Sequence, residues 1–204
     1  MRVSRAVLFL PALVFVSAAS LGANLQKGIT AYNSADYETA MAECLPLAEA
    51  GDAGAQFCVG RMYANGFGVD MNDEQALNWY GLAAEQGHGE AAFNLGVMHA
   101  NGWGVPMDDK IAFEWYLRAA ESGFAQAQAT VAALYVHARG VEENLAEAYR
   151  WYVTAEKLGD ASYTAELEAL AAELTDEDII TAHHRADSWV EKFDGRTMQA
   201  DNIH

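Results

Sequence analysis

The sequence predicts an all-α fold, an α-α superhelix in which helix pairs stack into a solenoid. Three observations carry this. Segments opening at Gly51, Gly87 and Gly123 align without a gap, one unit every 36 residues. Each segment holds two stretches with a stripe at helical spacing, in the first copy Ala55, Val59 and Tyr63 at i, i+4 and i+8 and then Ala76, Trp79/Tyr80 and Ala83 at i, i+3/i+4 and i+7. Between the two stretches stands a glycine corner: "NGFGV" at 65–69, "NGWGV" at 101–105 and "HARGV" at 137–141. A period of this length with two helical halves means a repeat array whose units cannot bury their apolar faces alone.

Residues 1–23 read as a signal peptide. Arg2 and Arg5 precede the apolar run "AVLFLPALVFV" (6–16), and the small residues "SAASLGA" follow, with cleavage expected between Ala18 and Ala23. The run is too short to span a bilayer, and no cysteine follows it to carry a lipid. The expected product is exported to a bacterial periplasm without membrane insertion. Losing Arg2 and Arg5 takes the formal charge from −17 to −19. That sign repels nucleic acid and anionic lipid. It serves solubility first, and it would also steer a basic partner.

Residues 24–50 form an abbreviated leading repeat, in which "AYNSADYETA" holds a tighter turn and Tyr37 and Ala40 fall in register. The full units follow at 51–86, 87–122 and 123–158. In the first, Ala55, Val59 and Tyr63 predict a helix over about 53–65, and Ala76, Trp79/Tyr80 and Ala83 predict a second over about 73–86. Gly60, Gly96 and Ala132 recur as small residues, as do the pairs Trp79-Tyr80, Trp115-Tyr116 and Trp151-Tyr152. Small residues admit a neighbouring backbone, and the large rings fill the space above. The corner glycines belong to a chain reversal that needs positive φ. A phosphate loop would follow a strand and carry fuller spacing.

Gly159 opens a fourth copy that soon loses the pattern, so 159–193 is expected to be a C-terminal cap. There Thr175 is the N-cap of a helix with the stripe Ile179, His183, Ala186, Val190 and Phe193, with Trp189 beside it. This helix is expected to lie against 160–173. The tail 194–204 has no periodicity and is expected to be disordered.

The stretches "AAFNLGVMHANGWGV" and "AFEWYLRAAESG", with the matching letters of the other copies, resemble the Sel1-like repeat family, relatives of tetratricopeptide repeats. The resemblance covers 51–159 in full. It implies a right-handed helical-repeat solenoid and a non-enzymatic, monomeric scaffold that grips a protein or peptide. It also implies a part in regulating envelope signalling, as family members of this type have.

Cys44 and Cys58 lie 7 residues on either side of Gly51, at the same level of an antiparallel helix pair. They are a candidate disulfide, as some exported relatives carry between helices. A bridge over about 15 residues would stabilise by roughly 3 kcal/mol, and the alternative is two buried thiols. Pro46 weighs against the bridge because it kinks the helix of Cys44.

Catalytic constellations are missing. No serine is followed by lysine at the third position, G-x-S-x-G does not occur, and the six histidines show no zinc-binding spacing, so neither metal nor cofactor is expected. His99 occupies a tyrosine position of the repeat, which points to the core. The rival reading is an exported hydrolase of β-lactamase type, to which some family members have been linked, or a glycan-binding envelope protein. The favoured surface is the concave face of the first helices. It would carry Leu25, Ile29 and Tyr32, then Phe57, Arg61 and Asn65, then Phe93, Val97 and Asn101, and finally His137. Aromatic and aliphatic anchors beside amides suit an extended or helical peptide. Phe57 and Phe93 read equally as inter-repeat packing, and Asn65 and Asn101 as helix ends ahead of glycine.

Overall fold

Each full unit folds into two antiparallel helices whose limits follow from their caps. The computed structural model describes residues 18–201, and these form α1 (Ala18–Asn33), α2 (Tyr37–Glu49), α3 (Ala53–Asn65), α4 (Asp73–Glu85), α5 (Gly89–Asn101) and α6 (Asp109–Glu121). There follow α7 (Ala125–Val136), α8 (Leu145–Lys157), a 3-10 turn at Ala161–Tyr163, α9 (Thr164–Ala171) and α10 (Asp176–Asp201). Residues 1–17 of the expected leader lie outside the described residues, and 18–23 form the start of α1. No described helix is long and apolar enough to cross a membrane.

The second helices start at Asn72, Asp108 and Asn144, whose side chains accept the N–H of Gln75, Ile111 and Glu147. Each satisfies an amide that the helix leaves unpaired. The first helices of two units end on αL glycines, Gly66 and Gly102, whose N–H groups close onto Met62 and Met98. The second glycine of each corner has another task. A Cβ on Gly104 would stand 2.8 Å from the Cβ of Asp73, and one on Gly68 would stand 2.8 Å from that of Tyr37. Gly140 presses the same way onto Asp109. Every corner therefore packs on the first residue of the second helix one unit earlier, and this contact sets the stacking.

Packing follows the expected small-against-large rule, with one refinement. Tyr80 sits on Gly60 and Tyr116 on Gly96, so close that an added Cβ would meet the rings at 2.7 and 2.6 Å. Tyr80, Tyr116 and Tyr152 are all buried, whereas of the tryptophans only Trp151 is, and Trp79 and Trp115 are half-buried. The ring that locks each hairpin is the tyrosine. The core falls into two clusters: one of α1–α3 around Cys44, Val59 and Met62, and one from Phe57 through the later units to Ala186.

At the C-terminus the structure corrects two expectations. Thr175 does cap α10, receiving the N–H of Asp178 while the Asp178 carboxylate accepts its hydroxyl at 2.6 Å. But α10 packs on α8, not on 160–173. The reason lies in α8, where every residue from Ala148 to Ala155 is buried, and α9 is only 8 residues long with two buried side chains. Trp189 meets Trp151 edge-on at 6.2 Å, Tyr149 meets His183, and Lys157 pairs with Asp187 at 2.6 Å. The segment 194–201 continues α10 instead of lacking structure. Its Arg, Met, Gln and Ala are good helix formers, and one glycine costs only about 1 kcal/mol.

Candidate functional site

The face of the first helices carries two adjoining cavities. One, of about 290 Å³, is lined by Ile29, Tyr32, Asn33, Gly54, Phe57, Cys58, Arg61, His88 and Glu90. The other, also about 290 Å³, is lined by Arg61, Ala64, Asn65, Asp73, Tyr80, Glu90, Asn94, Val97, Met98 and Trp103. Arg61 and Glu90 belong to both, so the two form one trough across α1, α3 and α5.

Helical spacing makes this trough. Arg61 and Asn65 are four apart on α3, and Glu90, Asn94 and Val97 follow at four and three on α5. Arg61 reaches over the Tyr32 ring at 4.4 Å and lies 5.6 Å from the Phe57 ring. It has no carboxylate partner within salt-bridge distance among the described residues. Burial raises the Tyr32 phenol, and Arg61 partly offsets this. His88 caps α5, its Nδ1 accepting the N–H of Ala91 at 3.3 Å, and its ring stacks on Phe57 at 4.5 Å. Burial pushes the His88 imidazole below its ordinary value, which keeps Nδ1 free to accept and leaves Nε2 as the donor.

The sequence-predicted residues divide. Ile29, Tyr32, Arg61, Asn65 and Val97 line the trough. Leu25 lies over Gly54 and joins the leading core. Phe57 forms part of a wall but is only 8% exposed, packed on Tyr80 at 5.8 Å. Phe93 packs on Tyr116 and Phe124 at 5.2 and 5.3 Å. Both phenylalanines are thus joints between units, not free anchors. Asn65 and Asn101 spend their amide N–H on the carbonyls of Arg61 and Val97, each at 2.7 Å, and so serve as helix ends. Their carbonyl oxygens remain available as acceptors. Asn101 and His137 line neither cavity.

Sequence reasoning missed His88, Glu90, Asn94, Asp73 and Trp103. Glu90 and Asn94 had a signal, since each falls three residues before a stripe position on α5, Phe93 and Val97. Trp103 was read only as the middle of a corner, yet it is 51% exposed.

Cys44 and Cys58 face each other between α2 and α3, both buried and present as free thiols in this structure. They share a hydrogen bond that raises Cys44, as burial also does, and that lowers Cys58 with help from Arg61 although burial opposes it. Pro46 stays within α2 near its end. No group of three or more His, Cys, Asp or Glu stands close enough to hold a metal among the described residues. Chemically, the trough offers one guanidinium, two carboxylates, three amides and an indole, which is an equipment for binding.

The Sel1 repeat model matches three times, at 53–88, 89–124 and 125–160. The chain belongs to the Sel1 repeat family. Sel1 repeat proteins generally act as scaffolds for protein–protein interaction. A Sel1 repeat protein from Oxalobacter formigenes is 36% identical, with a TM-score of 0.67 over 70% of this chain. The protective antigen c5321 of uropathogenic Escherichia coli, which displays this fold, is 30% identical, with a TM-score of 0.65 over 76% of this chain. This chain spans 59% and 33% of their respective lengths. Among curated proteins none matches.

Proposed function

We propose that this Sel1 repeat protein is a non-enzymatic scaffold that holds a segment of a partner polypeptide along the first-helix trough. The observation that carries the reading is the continuity of two cavities through Arg61 and Glu90. A trough that crosses three first helices fits an elongated ligand better than a compact one. Its amides and mixed charges offer partners to a peptide backbone, while Ile29, Tyr32 and Val97 offer apolar contact. The bacterial periplasm is the proposed compartment, on the strength of Arg2, Arg5 and the apolar run at 6–16.

A crosslinking pull-down from periplasmic extract tests this, comparing wild type with an Ile29→Asp/Arg61→Ala double variant. These positions are chosen because neither side chain is fully buried. Partner bands lost in the double variant, with its melting temperature unchanged, support the trough. Equal recovery of every band from both proteins overturns it.

A further inference from the structure

The three corners of the solenoid stack on the three preceding second helices in strict register, and their middle residues are Phe67, Trp103 and Arg139. The first residues of the helices beneath them are Tyr37, Asp73 and Asp109. At the first corner Phe67 stacks flat on Tyr37, with ring centroids 4.5 Å apart. At the third, the Arg139 guanidinium bonds the Asp109 carboxylate, Nη2 to Oδ1 at 2.9 Å. Both corners are closed by their own side chains.

The middle corner is not. Trp103 has no ring, hydrogen-bond or cation partner for its side chain among the described residues, and the Asp73 carboxylate has no hydrogen bond or ion pair there either. An indole cannot do for a carboxylate what Arg139 does one unit later. Between and around them opens the cavity that also holds Glu90, Asn65 and Asn94.

We infer that this cavity receives an arginine side chain from the bound polypeptide. The inference rests on the trough reading above and names its specificity. The guanidinium takes the place relative to Asp73 that Arg139 takes relative to Asp109. A carboxylate binds that planar fork through two hydrogen bonds, and the indole face attracts it by cation–π contact. Glu90 and the carbonyl oxygen of Asn65 add acceptors at the wall. Asp73 and Glu90 outweigh Arg61, whose guanidinium is drawn over Tyr32 and Phe57. The acidic chain as a whole favours the approach of a cation.

The test is a titration of the full-length chain with Nα-acetyl-arginine amide, followed by the amide and indole resonances of a nitrogen-15-labelled sample. The citrulline analogue, equal in shape and uncharged, is the control. The expected result is a saturable shift at the Trp103 indole and at the amides of Asp73 and Asn94, at least ten-fold weaker with citrulline. Asp73→Asn should weaken binding at least ten-fold while leaving the melting temperature near wild type. Trp103→Arg should abolish it, because the protein then supplies its own guanidinium, and should raise stability. Equal response to citrulline, unchanged binding by Asp73→Asn, or no saturable shift each overturns the proposal. If arginine fails to bind while the pull-down still loses its partners in the Ile29→Asp/Arg61→Ala variant, the trough stands and only the arginine site falls. If arginine binds but no partner depends on the trough, the reverse holds.

Discussion

At the scale of single residues, the corners make opposite demands within one motif. Gly104 has φ +71° and stands where a Cβ would strike the backbone of Asp73 at 2.9 Å. Gly104→Ala combines αL strain with overpacking and is expected to lose about 2–4 kcal/mol. Ala138 occupies the position of Gly66 and Gly102 but carries φ +51° on an L side chain. Ala138→Gly should therefore gain up to about 1 kcal/mol, the strain relieved being partly offset by the freedom glycine returns to the unfolded chain. Urea midpoints at unchanged m-value test both, and equal effects at the two positions would refute the packing role given to the second glycine. The thiols allow another prediction. Cys44 and Cys58 are 0% and 5% exposed, so a thiol reagent should react slowly with the native protein and with two equivalents in urea. A denatured protein without reactive thiol would mean that the pair is oxidised.

At the scale of elements, the last helix is held by charge as well as by rings. Glu147 at the start of α8 pairs with Arg150 at 2.9 Å and with Arg185 of α10. Burial pushes the Glu147 carboxyl up, but the hydrogen bonds from Arg185 and Arg150 outweigh it and hold the group below its ordinary value. A depressed carboxylate stabilises the fold above the unfolded glutamate range, near pH 4.3, and loses that contribution as pH falls through the folded value. Glu147→Gln should thus cost about 1–2 kcal/mol at neutral pH, a figure held down by the exposure of Arg185. The gap to wild type should close on acidification, and a gap independent of pH down to 3 would exclude the charge. Element limits were legible in the sequence because each is set locally. The α3 and α4 spans follow from the apolar stripes, Asn72 and the αL glycine. The seat of α10 was not legible, because a stripe shows that a helix has a buried face and not which neighbour covers it. The same limit applies to the trough. Arg61 and Ile29 could be read from their helical faces. Trp103 joins Asp73 and Asn65 only through the stacking of units, and Phe57, which read equally as anchor and as packing, is decided only by Tyr80 and His88 closing over it.

At the scale of the whole molecule, α3 is a shared wall. Ala55, Cys58, Val59 and Met62 face the leading cluster, while Phe57 reaches into the cluster that runs on to α10. A repeat array is stabilised by unit terms and nearest-neighbour terms, so cooperativity is limited by its weakest joint. Phe57, stacked on His88 and packed on Tyr80, carries part of the joint between the clusters, beside Tyr63, which packs on both. Removing a buried ring of this size costs about 3–5 kcal/mol. In Phe57→Ala that loss falls on the coupling, since the contacts of Cys44, Val59 and Met62 inside the leading cluster are untouched. The expected result is unfolding in two steps, with a smaller m-value for each than for the single transition of the wild type. Native-state hydrogen exchange should then separate α1–α2 from α7–α8, the leading pair opening first because it has one neighbour instead of two. Phe93→Ala provides the contrast, since Phe93 packs on Tyr116 and Phe124 inside the larger cluster and its loss should lower stability without splitting the transition. Matching exchange rates in α1–α2 and α7–α8 for Phe57→Ala would show that the two clusters unfold as one body and that α3 is no joint.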